Sequence, residues 1–108
     1  MMPSMPNLRR PAGDDTPAGH AVVELNVANH AGVMSHVVGL FARRAYNVDG
    51  ILVMPVAGSA LSRIWLRVAE DERLDQMLRQ TAKLEDVLSV RRHGADNAVF
   101  DRVEEYFR

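Results

Sequence analysis

From Ala21 to Ala28 apolar and polar positions alternate, with Ala21, Val23, Leu25 and Val27 on one face and Glu24 and Asn26 on the other, the period of a half-buried strand. The alternation breaks at Asn29-His30-Ala31-Gly32, and a helical pattern follows at once. Between Val33 and Ala45 the residues Val33, Val37, Leu40 and Phe41 form one stripe, while Ser35, Arg43 and Arg44 fall outside it. That spacing predicts an amphipathic helix lying on a sheet.

Asn47 to Val56 predicts a second strand, with Gly50 as a bulge or a close backbone approach and Pro55 near its end or on an irregular edge. Ala57 to Leu61, containing Gly58-Ser59, predicts a turn. From Ser62 to Ala69, Ile64, Leu66 and Val68 alternate with Arg63, Trp65 and Arg67, so this third strand pairs with the second as a hairpin. Asp71 is placed to cap a second helix whose apolar face is Leu74, Met77, Leu78 and Thr81. Val87 to Arg92 predicts a fourth strand. Beyond His93-Gly94, the four-residue recurrence of Val99, Val103 and Phe107 predicts a short C-terminal helix in search of a surface. The order is βαββαβ, an α+β, ferredoxin-like arrangement with two helices on one face of a four-stranded antiparallel sheet. Trp65 then falls on the face without helices or at an edge, where a partner subunit or the C-terminal helix would cover it.

Composition narrows the function classes. A chain of 108 residues, 47% hydrophobic and 25% charged, suits a single core. Thirteen Lys+Arg against fourteen Asp+Glu leave a net charge of −1, which argues against a phosphate-driven nucleic-acid binder and a polybasic membrane anchor. Absence of cysteine removes disulfides, thiolate metal sites and thiol nucleophiles and fits a cytoplasmic protein, and no apolar run approaches the roughly 20 residues of a membrane span. Four of five prolines lie in the first nineteen residues, so residues 1–20 read as a flexible tail without the hydrophobic region of a secretory signal. Residues 21–93 then form the domain and residues 94–108 a helical extension.

Candidate chemistry concentrates at the first loop. A glycine-containing loop running into an uncapped helix start offers unpaired amides and partial positive charge, a seat for a small anion such as an amino acid's carboxylate. Asn29 and Gly32 are also ordinary turn formers, so the loop alone leaves both readings open. His30 and His36 share no helical face and have no third ligand, which argues against a metal site; His36, His20 and His93 read as surface or boundary residues. Ser35 beside His36 is no nucleophile and base pair, because neighbouring helical residues diverge by about 100°. Met34, Met54 and Met77 read as core fillers, and Arg43-Arg44 as a solvated helix end matched to the dipole, with docking as the other use.

Three segments in order, ELNVANHAGVMSHVVGLFARRAYNVDGIL, SRIWLRVAEDERLDQM and KLEDVLSVRRH, resemble the small regulatory subunits of acetolactate synthase (acetohydroxyacid synthase), the short type I form in particular. The resemblance spans about residues 21 to 108. It implies a non-catalytic ACT domain that forms a homodimer, binds the pathway end product valine, and regulates a separate catalytic large subunit in branched-chain amino-acid biosynthesis. Thiamine diphosphate, magnesium and FAD would belong to that partner, with no cofactor in this chain. Carried over by position, the valine loop is Asn29, His30, Ala31, Gly32, Val33 and Met34, and the second contact strip is Asn47 and Val48, presented by the neighbouring protomer. The rival reading is a stand-alone ACT module that regulates another enzyme or a transcription factor.

Overall fold

Strand β1 (His20–Ala28) runs through the centre of an antiparallel sheet ordered β2 (Val48–Pro55), β3 (Leu61–Ala69), β1, β4 (Val87–His93). A computed structural model of the chain describes residues 19–29, 32–94 and 96–108. The expected flexible tail lies, up to residue 18, outside the described residues; His20, expected to belong to it, is the first residue of β1. Helices α1 (Val33–Arg43) and α2 (Leu74–Ala82) complete the βαββαβ order.

The alternation in β1 and β3 has a direct packing cause. Ala21, Val23, Leu25 and Val27 pair in register with Val68, Leu66, Ile64 and Ser62, so the apolar side chains of two central strands present one surface to the helices. The α1 stripe Val33, Val37, Leu40 and Phe41 is buried on that surface, joined from α2 by Leu74, Met77 and Thr81. The Thr81 hydroxyl donates to the Met77 carbonyl at 2.7 Å, which lets a polar residue sit in the core.

Helix α1 stops two residues before the expected Ala45. Ala45 takes a left-handed conformation, φ 53°, and the amides of Ala45 and Tyr46 fold back onto the carbonyls of Ala42 and Phe41. That is a Schellman closure, sealed by the rings of Phe41 and Tyr46 meeting edge to face at 5.9 Å. Asp71 does not cap α2, whose N-terminal flanking residue is Arg73. Its carboxylate instead accepts the Arg73 amide at 2.8 Å, turning the chain just before the helix.

Gly50 fulfils both parts of its expectation. The β2–β3 register shifts between Val48 and Gly50, and a Cβ on Gly50 would lie 2.8 Å from the Phe100 ring. Phe100 reaches it from a C-terminal segment composed of a 3-10 turn (Ala98–Phe100), one α-helical turn (Asp101–Glu104) and a second 3-10 turn (Glu105–Phe107). The expected short C-terminal helix is thus present, as one α-helical turn between two 3-10 turns, but its buried side is not the Val99, Val103, Phe107 stripe. Phe100 is the buried anchor and Phe107 is 82% exposed, because the segment meets a glycine gap in the sheet rather than a flat apolar surface. Met34 and Met54, expected in the core, are exposed, since β2 is an edge strand and Met34 leaves the α1 stripe.

Candidate functional site

The β1–α1 loop leaves the sheet from two backbone anchors at its β1 end. The Ala28 amide donates to the Asp86 carbonyl at 2.9 Å, and the Asn29 amide to the Ala60 carbonyl at 3.0 Å. Gly32 precedes the helix at φ 91°, a left-handed conformation in which glycine carries no Cβ strain. The first helical bond runs from His36 N to Gly32 O at 3.1 Å, so the amides of Val33, Met34 and Ser35 stand ahead of the ladder. Among the described residues no side chain caps this end, and no acidic residue lies in the first turn. Nothing in α1 itself therefore competes for the anion seat.

The Val33 side chain is buried, so it can contribute only its amide, whereas Met34 is exposed at the mouth. Asn29 is exposed beside it. His30 and Ala31 lie outside the described residues. The Asp86 carboxylate stands 3.7 Å from His36, which puts an acceptor suited to an ammonium group beside the first turns of α1. Sequence reading passed over Asp86, because a lone acidic residue before β4 carries no local signal.

Asn47 and Val48 are elsewhere. Val48 pairs with Val68, at the His20 end of the sheet, while Asn29 binds next to Leu61 at the other end. The nine residues of β1 separate them by about 27 Å. One protomer does not bring the two strips together. The second strip is well fixed in its own right: the Asn47 amide group donates to Asp49 Oδ1 at 2.5 Å, and Asp49 pairs with His20. The adjoining Tyr46 hydroxyl donates to the Ala69 carbonyl at 2.5 Å and to Asp71 at 3.2 Å. Burial pushes the Tyr46 phenol upward in pKa, aided by the Asp71 charge, and the Arg73 amide holds the Asp71 carboxyl below its usual range.

On the face away from the helices, Glu24 is buried between His93 at 2.9 Å and Arg63 at 3.3 Å. The Arg63 Nε donates to Asn26, which in turn donates to Ser89, both at 2.9 Å. Trp65 lies over His93 with ring centroids 5.4 Å apart. His20 and His93 are boundary residues, half-buried, each within hydrogen-bond reach of one carboxylate, Asp49 and Glu24 respectively. Among the described residues no group of three or more His, Cys, Asp or Glu side chains is placed to hold a metal, and no helix is long and apolar enough to cross a membrane. The first loop is left with helix-start amides that no described side chain caps.

Comparison with known proteins adds the family. Residues 23–89 match the family model of the acetohydroxyacid synthase small subunit-like ACT domain. The chain is 49% identical over 94 residues to the acetolactate synthase isozyme 1 small subunit of Escherichia coli strain K12, covering 87% of this chain and 98% of that one. It is 36% identical over 74 residues to the isozyme 3 small subunit of the same organism, covering 68% of this chain and 45% of that longer one. The crystal structure of the acetolactate synthase small subunit from Thermotoga maritima superposes with a TM-score of 0.62 at 35% identity, over 68% of this chain and 46% of that chain.

Proposed function

This chain belongs to the acetolactate synthase small-subunit family, and from that premise we propose that it is the regulatory, non-catalytic subunit that activates a catalytic large subunit and imposes feedback inhibition when valine binds. The chemistry of acetolactate synthesis, with thiamine diphosphate, magnesium and FAD, belongs to the large subunit. What this chain supplies is a switch.

The observation that carries the reading is the separation of the two half-sites. Strand β2 has β3 on one side only, so its other edge is unpaired in the sheet. If β2 of one protomer joins β2 of a second antiparallel, the partner runs upside down relative to the first. Its Asn47-Val48 strip then arrives at the end where the first protomer holds Asn29 and Gly32. Joining the β4 edges would not do this. A homodimer built through β2 therefore assembles two equivalent sites, each with helix amides for the valine carboxylate and amide carbonyls for its ammonium. Transmission requires that valine bind two arrangements of the holoenzyme with different affinity.

The test is calorimetric titration with valine, leucine, isoleucine and an unrelated amino acid, followed by reconstitution with the large subunit. Saturable binding selective for valine is expected. Gly32→Val and Asn29→Ala should weaken inhibition by valine while keeping subunit association. Normal inhibition of both variants would sink the site assignment.

A further inference from the structure

The strip at the start of β2 is shaped by a residue next to Asn47 and Val48. Between Val48 and Gly50 the strand advances two residues while β3 advances one, from Val68 to Arg67, so Asp49 is the extra residue of a β-bulge. A bulge re-aims its side chain, and here the Asp49 carboxylate meets two groups. One oxygen accepts from the Asn47 side-chain amide at 2.5 Å, and the other meets His20 Nε2. His20 belongs to β1, and β3 lies between β1 and β2, so its ring reaches across a strand to the bulge. That ring is half-buried and its Nδ1 has no hydrogen-bond partner among the described residues, which leaves Nε2 as the nitrogen that fastens it. The backbone of the strip is tied to β3 as well, by the Ala69 amide donating to the Asn47 backbone carbonyl at 3.5 Å.

Resting on the valine site proposed above, in which Asn47 is delivered to the partner's β1–α1 loop, we infer that Asp49 is a positioning residue of that site: held by His20, it fixes the Asn47 side-chain amide so that the carbonyl oxygen is presented to the ligand's ammonium. The chemistry sets the orientation. A carboxylate only accepts hydrogen bonds, so of the two ends of the amide the NH2 is the one that faces it. The carbonyl end is then turned away from Asp49, and because Asn47 is exposed that oxygen is within a ligand's reach. An amide without this hold turns over and presents its NH2, which repels an ammonium, as readily as its oxygen. A hydrogen bond to a carboxylate also polarises the amide and strengthens the carbonyl oxygen as an acceptor.

The test isolates the ammonium. Valine is compared with the α-hydroxy acid of the same carbon skeleton, whose hydroxyl donates to a carbonyl or accepts from an NH2 and so takes either end of the amide. Asp49 is exposed, so replacing it opens no gap in the core. In calorimetric titrations of the full-length chain, Asp49→Ala should bind valine roughly tenfold more weakly than wild type, the scale of one hydrogen bond to a charged group, and the hydroxy acid within about twofold. Asp49→Asn, which keeps an acceptor of the same reach toward Asn47, should recover most of the loss for valine. Equal weakening of both ligands without that recovery would make Asp49 a structural residue alone and overturn the inference, as would loss of the dimer by Asp49→Ala in sedimentation. If Asn47→Ala weakens valine binding while Asp49→Ala binds valine like wild type, Asn47 belongs to the site and this inference alone is overturned. If Asn47→Ala binds valine like wild type, or the wild-type chain does not bind it, the two-strip site fails and the inference fails with it.

Discussion

Ala45 shows how a single residue is held against its own preference. Its φ of 53° lies where a Cβ meets the neighbouring carbonyl, yet the Schellman bonds and the Phe41–Tyr46 contact leave α1 no other ending. Ala45→Gly should therefore stabilise the protein by about 1 kcal/mol, a rise in Tm of roughly 4–8 °C for a domain of this size, measurable by thermal unfolding. A fall in Tm would mean that the side chain makes a compensating contact. Glu24 illustrates the electrostatic case. Its hydrogen bond with His93 foremost, then the charges of Arg63, His93 and Arg91, hold its carboxyl below the ordinary 4.5 against the opposing effect of burial. A carboxyl depressed in the folded state binds fewer protons there than in the unfolded chain, so its stabilisation is complete above pH 4.5 and disappears as pH falls through the lower folded value. Glu24→Gln should cost about 1 kcal/mol at pH 7, with the deficit shrinking toward pH 3 in paired denaturant titrations. A deficit independent of pH would show that Glu24 acts through packing alone.

At the scale of elements, the C-terminal segment depends on one fit between a ring and a glycine. Gly50→Ala puts a Cβ at 2.8 Å from Phe100 and leaves Tyr106 and Phe107 untouched, so it should release the segment without unfolding the sheet. The expected readout is hydrogen exchange at least tenfold faster in residues 98–107, with β1 and β3 unchanged. Unchanged protection would mean that Phe100 shifts within its seat. This fit also marks where sequence reading stops. The central strands and α1 were legible because their burial is periodic: Val33, Val37, Leu40 and Phe41 are all inside, as are Ile64, Leu66 and Val68. Gly50 announced a close approach but not its partner, since Phe100 lies fifty residues away and off the Val99, Val103, Phe107 spacing. Met54 read as core because edge position is a property of strand order, which local pattern does not contain. The candidate site divides in the same way. Asn29 and Gly32 were legible from the break in periodicity, whereas the distance to Asn47 and the nearness of Asp86 to α1 follow only from the register of the strands.

For the whole molecule, a site shared between protomers makes ligand and assembly thermodynamically inseparable. Each homodimer would hold two such sites and a lone protomer none, so valine must tighten the dimer by the free energy with which it binds. At a concentration one hundred times its dissociation constant, each site contributes about 2.7 kcal/mol, and the two together about 5.4 kcal/mol. The dimer dissociation constant should then fall by roughly four orders of magnitude, the reciprocal of dimerisation creating the site. Sedimentation equilibrium with and without valine reads this directly, and leucine at the same concentration reports how far the effect depends on the side chain. If valine binds but the dissociation constant does not move, each protomer already holds a whole site. Asn47 and Val48, about 27 Å from the Asn29 loop, would then have no part in it, and the β1–α1 loop with Asp86 would have to complete the site from within one chain.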